Sequence, residues 1–188
     1  YLGELNVSHT GSGYRAPASR ESASTANLGV FYDWTWQGDG LKVSEIVNGG
    51  PFDKASSKLS AGDIITSIDG VQIKKGMDFY PLLNRKAGER TLIGITKASG
   101  EKTDMVVLPI SDGAFNTLLY KRWVRQNADK VKQLSGGRIG YVHIESMNDE
   151  SFRTVYSDIL GRYNNCEGIV IDTRFNGGGR LHEDIEVL

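Results

Sequence analysis

Residues 168–172, Gly-Ile-Val-Ile-Asp, form a nearly unbroken apolar run. It leads into Thr173-Arg174-Phe175-Asn176 and then three glycines, Gly177, Gly178 and Gly179. Apolar residues at successive positions, rather than alternating ones, suit a strand covered on both faces, and such strands belong to parallel sheets. The glycines allow backbone N–H groups to approach a ligand with no side chain in the way. A helix-like stretch follows over 181–188. Strand, glycine turn and helix start together present backbone donors to negative charge. In a hydrolase that charge is an oxyanion. The turn lacks the Lys-Ser/Thr of a phosphate-cradling P-loop, so nothing points to a nucleotide.

The segments before it set an α/β frame. Residues 138–144 predict a strand and 149–163 a helix, ahead of the strand at 168–173. This βαβ order, with a right-handed crossover, implies a parallel sheet. Only two such strands are present, so the sheet is expected either to continue past Leu188 or to remain incomplete. Residues 113–134 predict a helix with Leu118, Leu119, Trp123 and Val131 on its apolar face. Lys121, Arg122, Arg125, Lys130 and Lys132 fall on the other face, read as solvated.

Between 28 and 110 the pattern is strand and turn. Strands are predicted at 28–36, 41–47, 64–68, 71–73, 91–97 and 103–110. Short helices are predicted at 51–58 and 77–86, the second with Phe79, Leu82 and Leu83 on one face. That is a small β-barrel with two helices. Residues 10–26 are rich in Ser, Ala and Gly and read as a linker. They follow a head, 1–9, expected to be the tail of an upstream helical domain.

Charge and cysteine content remove several classes. With 22 basic and 23 acidic residues the net charge is −1, which argues against a dedicated nucleic-acid binder. No apolar run approaches the roughly 20 residues that span a bilayer. The single cysteine, Cys166, excludes an internal disulfide and a cysteine-only zinc site, and its apolar neighbourhood suggests a buried structural thiol. His182 beside Glu183 and Asp184 has no second His four residues on, so no metal is expected there. No serine sits in a Gly-x-Ser-x-Gly elbow. His143 reads as a structural strand residue, and Arg174 as the partner of a structural ion pair with Asp172.

Two resemblances sharpen this reading. The stretch Leu59-Ser60-Ala61-Gly62-Asp63-Ile64-Ile65, with Ile68-Asp69-Gly70, resembles the core signature of PDZ domains over residues 27–112. The resemblance implies that backbone N–H groups around Leu28, Gly29 and Val30 can hold a peptide carboxylate, against the Phe79 and Leu83 side of the 77–86 helix. It leaves open whether this domain binds peptide or serves as a spacer. The whole order is similar to the tricorn-type serine peptidases of family S41. It runs from Gly3-Glu4 and Ser8-His9, through a PDZ-like domain, to Gly140-Tyr141-Val142-His143-Ile144 and Asp172-Thr173-Arg174-Phe175-Asn176-Gly177-Gly178-Gly179.

That second resemblance implies roles. His9 would be the general base and Ser8 its assistant in the charge relay. Gly177 or Gly178 would give one oxyanion-hole N–H, and the nucleophilic Ser would lie on a later helix, past Leu188. The implied fold is an α+β/α/β multidomain protein: a PDZ-like β-barrel with two helices over 27–112, then the first half of a crotonase-like (ClpP/crotonase) α/β domain over 113–188. The implied function is a serine-type peptidase cleaving peptides or unfolded chains without a cofactor, this chain being inactive alone. Homo-oligomer formation by the full-length protein stays open. The compartment is expected to be cytoplasmic, or periplasmic or secreted if the parent carries a signal peptide. The alternatives are a non-catalytic PDZ peptide-binding protein with a degenerate peptidase fold and a crotonase-type acyl-CoA enzyme. The PDZ-like domain and His9 argue against the second.

Overall fold

The computed structural model describes residues 13, 14, 17 and 22–179. Ser8, His9, His182 and the helix expected over 181–188 lie outside the described residues. The elements are β1 (Val30–Tyr32), β2 (Leu41–Ile46), β3 (Ile64–Ile68), β4 (Val71–Gln72), β5 (Thr91–Thr96), β6 (Lys102–Val107), α1 (Asp112–Ser135), β7 (Ile139–His143), α2 (Asp149–Ser157) and β8 (Gly168–Asp172).

Strands β1 to β6 form one antiparallel sheet in the order β1-β2-β3-β5-β6, with β4 also on β3. Residues two apart along a strand share a face. Leu41 and Val43 of β2, and Ile93 and Ile95 of β5, therefore point together into a core completed by Leu28, Phe52, Ile65 and Leu83. The expected β-barrel is not closed. Among the described residues the strand path is open, and its ends meet at an isolated Asn27–Ile110 bridge held by N–H to O bonds of 2.7 and 2.9 Å. The three residues of β1, with a register break between Phe31 and Tyr32, are too few to extend that contact into a ladder.

Both short helices expected in this unit shrink to 3₁₀ turns. The first covers only Ala55–Ser57, where the Ser57 hydroxyl donates to Pro51 O at 2.7 Å and offers the backbone an alternative to helical bonding. The second covers only Tyr80–Leu83, with Pro81 inside it. Asn84 is pulled into an extended bridge with Thr25, and Arg85 turns to φ 60°. The apolar spacing still picked out core side chains, since Phe79 and Leu83 are both buried.

Helix α1 begins at Ser111, whose Oγ accepts from Ala114 N at 3.2 Å, and ends at Gly136 in the left-handed region. None of its residues is fully buried, as suits a helix bridging two units. Its basic face is not solvated throughout. Arg122 donates through Nε and Nη2 to both carboxylate oxygens of Glu45 on β2, at 2.6 and 2.7 Å. The same guanidinium lies over Phe31 of β1, which also packs against Phe115.

The second unit pairs β7 and β8 in parallel, from Ile139 opposite Gly168 to His143 opposite Asp172. Helix α2 makes the crossover, started by Asn148, whose Oδ1 accepts from Ser151 N at 2.9 Å. The single helix expected over 149–163 is α-helical only to Ser157 and then widens into a π-type turn, Asp158–Arg162. Val142, Ile144 and Val155 are its buried core. Coverage of β8 on both faces is not met within the described residues, because Val170 and Ile171 are exposed. Cys166 is half-buried rather than buried. No helix of the described residues is long and apolar enough to cross a membrane.

Asp63 fixes the corner where β3 begins. Its buried carboxylate accepts from Ser60 N and Ala98 N, both at 2.9 Å, and from Lys97 Nζ at 3.2 Å. Burial pushes its pKa up, but these donors outweigh that and hold it below the usual carboxylate value. Asp63→Ala leaves two N–H groups without their acceptor and is expected to cost about 3 kcal/mol. Urea unfolding of the two proteins measures it.

Candidate active site

The site grows from the paired C-terminal ends of β7 and β8. Asp172 closes β8 with a buried carboxylate. Tyr141, on β7, donates its hydroxyl to Asp172 Oδ2 at 2.6 Å. Arg174 folds back on the same carboxylate, with Nη2 at 2.5 Å from Oδ2, Nε at 3.0 Å from both oxygens, and its own backbone N–H at 3.0 Å from Oδ1. The Arg174 side-chain bonds hold Asp172 well below the usual carboxylate range, assisted by Tyr141 and against the effect of burial. Reciprocally, the carboxylate raises Arg174. The ion pair expected from sequence is therefore present.

His143 sits beside this cluster with both ring nitrogens occupied. Nε2 lies 2.8 Å from Arg174 O, and Nδ1 lies 2.8 Å from Tyr120 Oη. A carbonyl only accepts, so Nε2 carries a proton, and in the neutral ring Nδ1 accepts from the tyrosine. Burial, then Glu145 and Tyr141, push the Tyr120 hydroxyl up to about 12, which keeps it a donor. Trp123 meets the imidazole edge-on at 4.8 Å and carries the Arg174 guanidinium over its ring at 5.1 Å. This matches the structural role read for His143. Tyr120, Tyr141 and His143 also line a cleft of 980 Å³ between α1, β7 and α2.

From Arg174 the chain enters the glycine turn. Phe175 takes φ 66°, a left-handed conformation that costs a non-glycine residue on the order of 1 kcal/mol. Trp123 packs edge-on against its ring. Asn176 donates Nδ2–H to Ile144 O at 2.9 Å and accepts at Oδ1 from Gly178 N at 2.7 Å. Gly178 sits at φ 89°. Gly179 pairs with Met147 in a parallel bridge, and a Cβ there would run into the Met147 backbone. The Gly177 N–H has no partner among the described residues, and a Cβ at Gly177, as at Gly178, would meet nothing within 4 Å.

The residues singled out from sequence fall into separate places. Gly177 and Gly178 share the turn after β8. Leu28, Gly29, Val30, Phe79 and Leu83 gather around the start of β1, but Leu28, Val30, Phe79 and Leu83 are core side chains. Gly29 N–H is already bonded to Asn27 Oδ1 at 2.8 Å, and Phe79 packs against Tyr32 at 5.4 Å. Ser8 and His9 lie outside the described residues.

Residues 27–112 match the family described as the tricorn protease PDZ domain, and residues 138–188 match peptidase family S41. The chain belongs to the tricorn-type S41 peptidase family. A tricorn protease homolog of Saccharolobus solfataricus is 29% identical over 94% of this chain and 17% of its own length. The tricorn protease of Thermoplasma acidophilum is 33% identical over 63% of this chain and 11% of its own length. A crystal structure of the tricorn protease superposes on 87% of this chain and 16% of its own with a TM-score of 0.73 and 25% identity. This chain therefore spans less than a fifth of each of these proteins. Its fold is tricorn-like, with a PDZ-type domain.

Sequence reasoning overlooked several residues of this tricorn-family site: Tyr120, Tyr141 and the amide of Asn176. The spacing of Asn176 two residues before Gly178 was the available signal, because Asn side chains often bond the backbone two residues on.

Two outcomes follow from this geometry. A carboxyl held below its unfolded pKa adds stability that is fully present above that unfolded value, about 3.9. It is lost as the pH falls through the folded value. The stability advantage of the wild type over Asp172→Asn is thus expected to be flat between about pH 5 and 7 and to shrink below about pH 4, as read from urea midpoints across that range. Gly179→Ala is expected to lower the melting temperature by several degrees, whereas Gly177→Ala stays within about 0.5 kcal/mol of wild type. Calorimetry of the two variants makes the comparison.

Proposed function

We propose that the protein bearing this chain is a serine-type peptidase acting on peptides or unfolded chains. In this reading the glycine turn after β8 forms part of the oxyanion hole and β7-α2-β8 opens a crotonase-like catalytic domain. The observation that carries it is Gly177: a backbone N–H with no partner among the described residues, on a turn pinned at the C-terminal end of a parallel strand. A donor fixed before reaction needs no reorganisation as charge builds on the substrate carbonyl oxygen. The tricorn protease relatives support the same reaction class. His9 acts as general base, taking the proton from a serine supplied by another part of the protein, and Ser8 assists it. His143 is no rival base, since both of its nitrogens are already engaged.

The PDZ-type domain is better read as a spacer than as a peptide receptor. The Gly29 amide is taken by Asn27, and Tyr32 and Phe79 pack against each other where a peptide strand would add.

In the full-length protein, His9→Ala is expected to lower turnover of an unstructured fluorogenic peptide by about 10²–10⁴ and to leave the melting temperature in place. A rate within about threefold of wild type removes His9 from the mechanism. The 188-residue chain alone is expected neither to cleave the peptide nor to be labelled by a fluorophosphonate.

A further inference from the structure

We propose that the outer face of the PDZ-type sheet, where it dips over Gly94, binds a free apolar α-amino acid in its zwitterionic form. Side chains of β3, β5 and β6 that point away from the core meet there. Along β3 the register slips by one residue: Ile65 lies opposite Ile95, but Ser67 lies opposite Gly94. The extra residue, Thr66, makes a β-bulge, a device that re-aims side chains. A Cβ added to Gly94 would collide with Ser67 Oγ and would lie 3.1 Å from Thr66 Oγ1 and 3.3 Å from Asp104 Oδ1. Three oxygens thus crowd one point above bare backbone. Around them lies a pocket of 440 Å³, walled also by Gln72, Thr96 and Lys102.

Ser67 is only 8% exposed, yet its hydroxyl has no partner among the described residues. The side chains of Thr66 and Asp104 have none there either. A hydroxyl so far out of water calls for a partner, and the pocket is where one fits. Asp104 and Lys102 share one face of β6, opposite Gly94 and Thr96. They stand roughly 7 Å apart along the strand. No ion pair joins them.

These groups select their ligand. A carboxylate only accepts and an ammonium only donates. A lone anion is refused by Asp104, and a lone cation leaves Lys102 opposed. A ligand carrying both charges satisfies both. Its ammonium has three donors for Thr66 Oγ1, Ser67 Oγ and Asp104 Oδ1, and its carboxylate meets Lys102 Nζ. Past Gly94 and Asp104 the same face continues to Leu92 and Val106, a directly opposed pair left 41% and 46% exposed. An apolar side chain laid over them leaves water. An α-amino acid joins these three features in one small molecule.

Leucine titrated into the ¹⁵N-labelled 188-residue chain tests the site. It is expected to shift the Ser67 and Gly94 amides saturably, with half-saturation at about 1–10 mM, as suits a few bonds on an open face. No saturable shift by about 30 mM leucine overturns the site. N-acetylleucine lacks the ammonium and leucinamide lacks the carboxylate, so each is expected to bind at least about tenfold more weakly. Equal binding of either overturns the zwitterion assignment. Asp104→Asn is expected to weaken leucine at least about tenfold, and Ser67→Ala by about threefold or more. Both variants should keep the melting temperature of the ligand-free protein, because neither side chain has a partner in the chain to lose. Unchanged leucine affinity in Asp104→Asn overturns the proposal. Unchanged affinity in Ser67→Ala overturns the part given to the buried hydroxyl.

Discussion

A carboxylate taken out of water stays charged only where enough donors converge on it. Asp172, buried at the end of β8, receives them from Tyr141 and from the side chain and backbone of Arg174. Much else in the site follows from that satisfaction. With Arg174 folded onto Asp172, its carbonyl meets His143 Nε2 and its guanidinium covers Trp123. The chain then leaves β8 in the direction that brings the Asn176 amide to Ile144 O. Removing one partner of such a cluster exposes the others to the full cost of an unpaired buried charge.

The same arrangement separates structural from available groups. Tyr120, Tyr141, His143 and Asp172 spend their hydrogen bonds on one another, on the Arg174 side chain and on the backbone. The Gly177 amide does not. A donor set beside neighbours so committed has little freedom to move, and that rigidity is what electrostatic preorganisation means in atomic terms.

Much of this was legible in the sequence. The strands from β2 to β8 fall where alternation and apolar runs place them, and the Asp172–Arg174 pair was expected at its observed position. What was not legible depends on partners distant in sequence or on local side-chain bonds. Apolar spacing found Phe79 and Leu83 in the core. It gave no sign that Pro81 and the Thr25–Asn84 bridge would shorten their helix to a single turn. Arg122 looked like one more solvated cation on α1, because its acceptor, Glu45, lies 77 residues away. The open sheet was hidden for a similar reason: the β1–β2 register shifts between Phe31 and Tyr32, an irregularity that periodicity does not show.

Helix α1 meets the first unit through Phe115, Leu118 and Arg122, and the second through Tyr120 and Trp123. At about 100° per residue, the first three fall on one stripe of the helix and the other two on a second stripe roughly 130° around. The stripes interleave in sequence, so they mesh like two gears on one short axle. Inserting or deleting a single residue between 115 and 123 would put both out of phase at once. Length changes nearer Ser135 would leave the meshing untouched. Lineages descending from this chain should therefore vary in helix length only toward its C-terminal end.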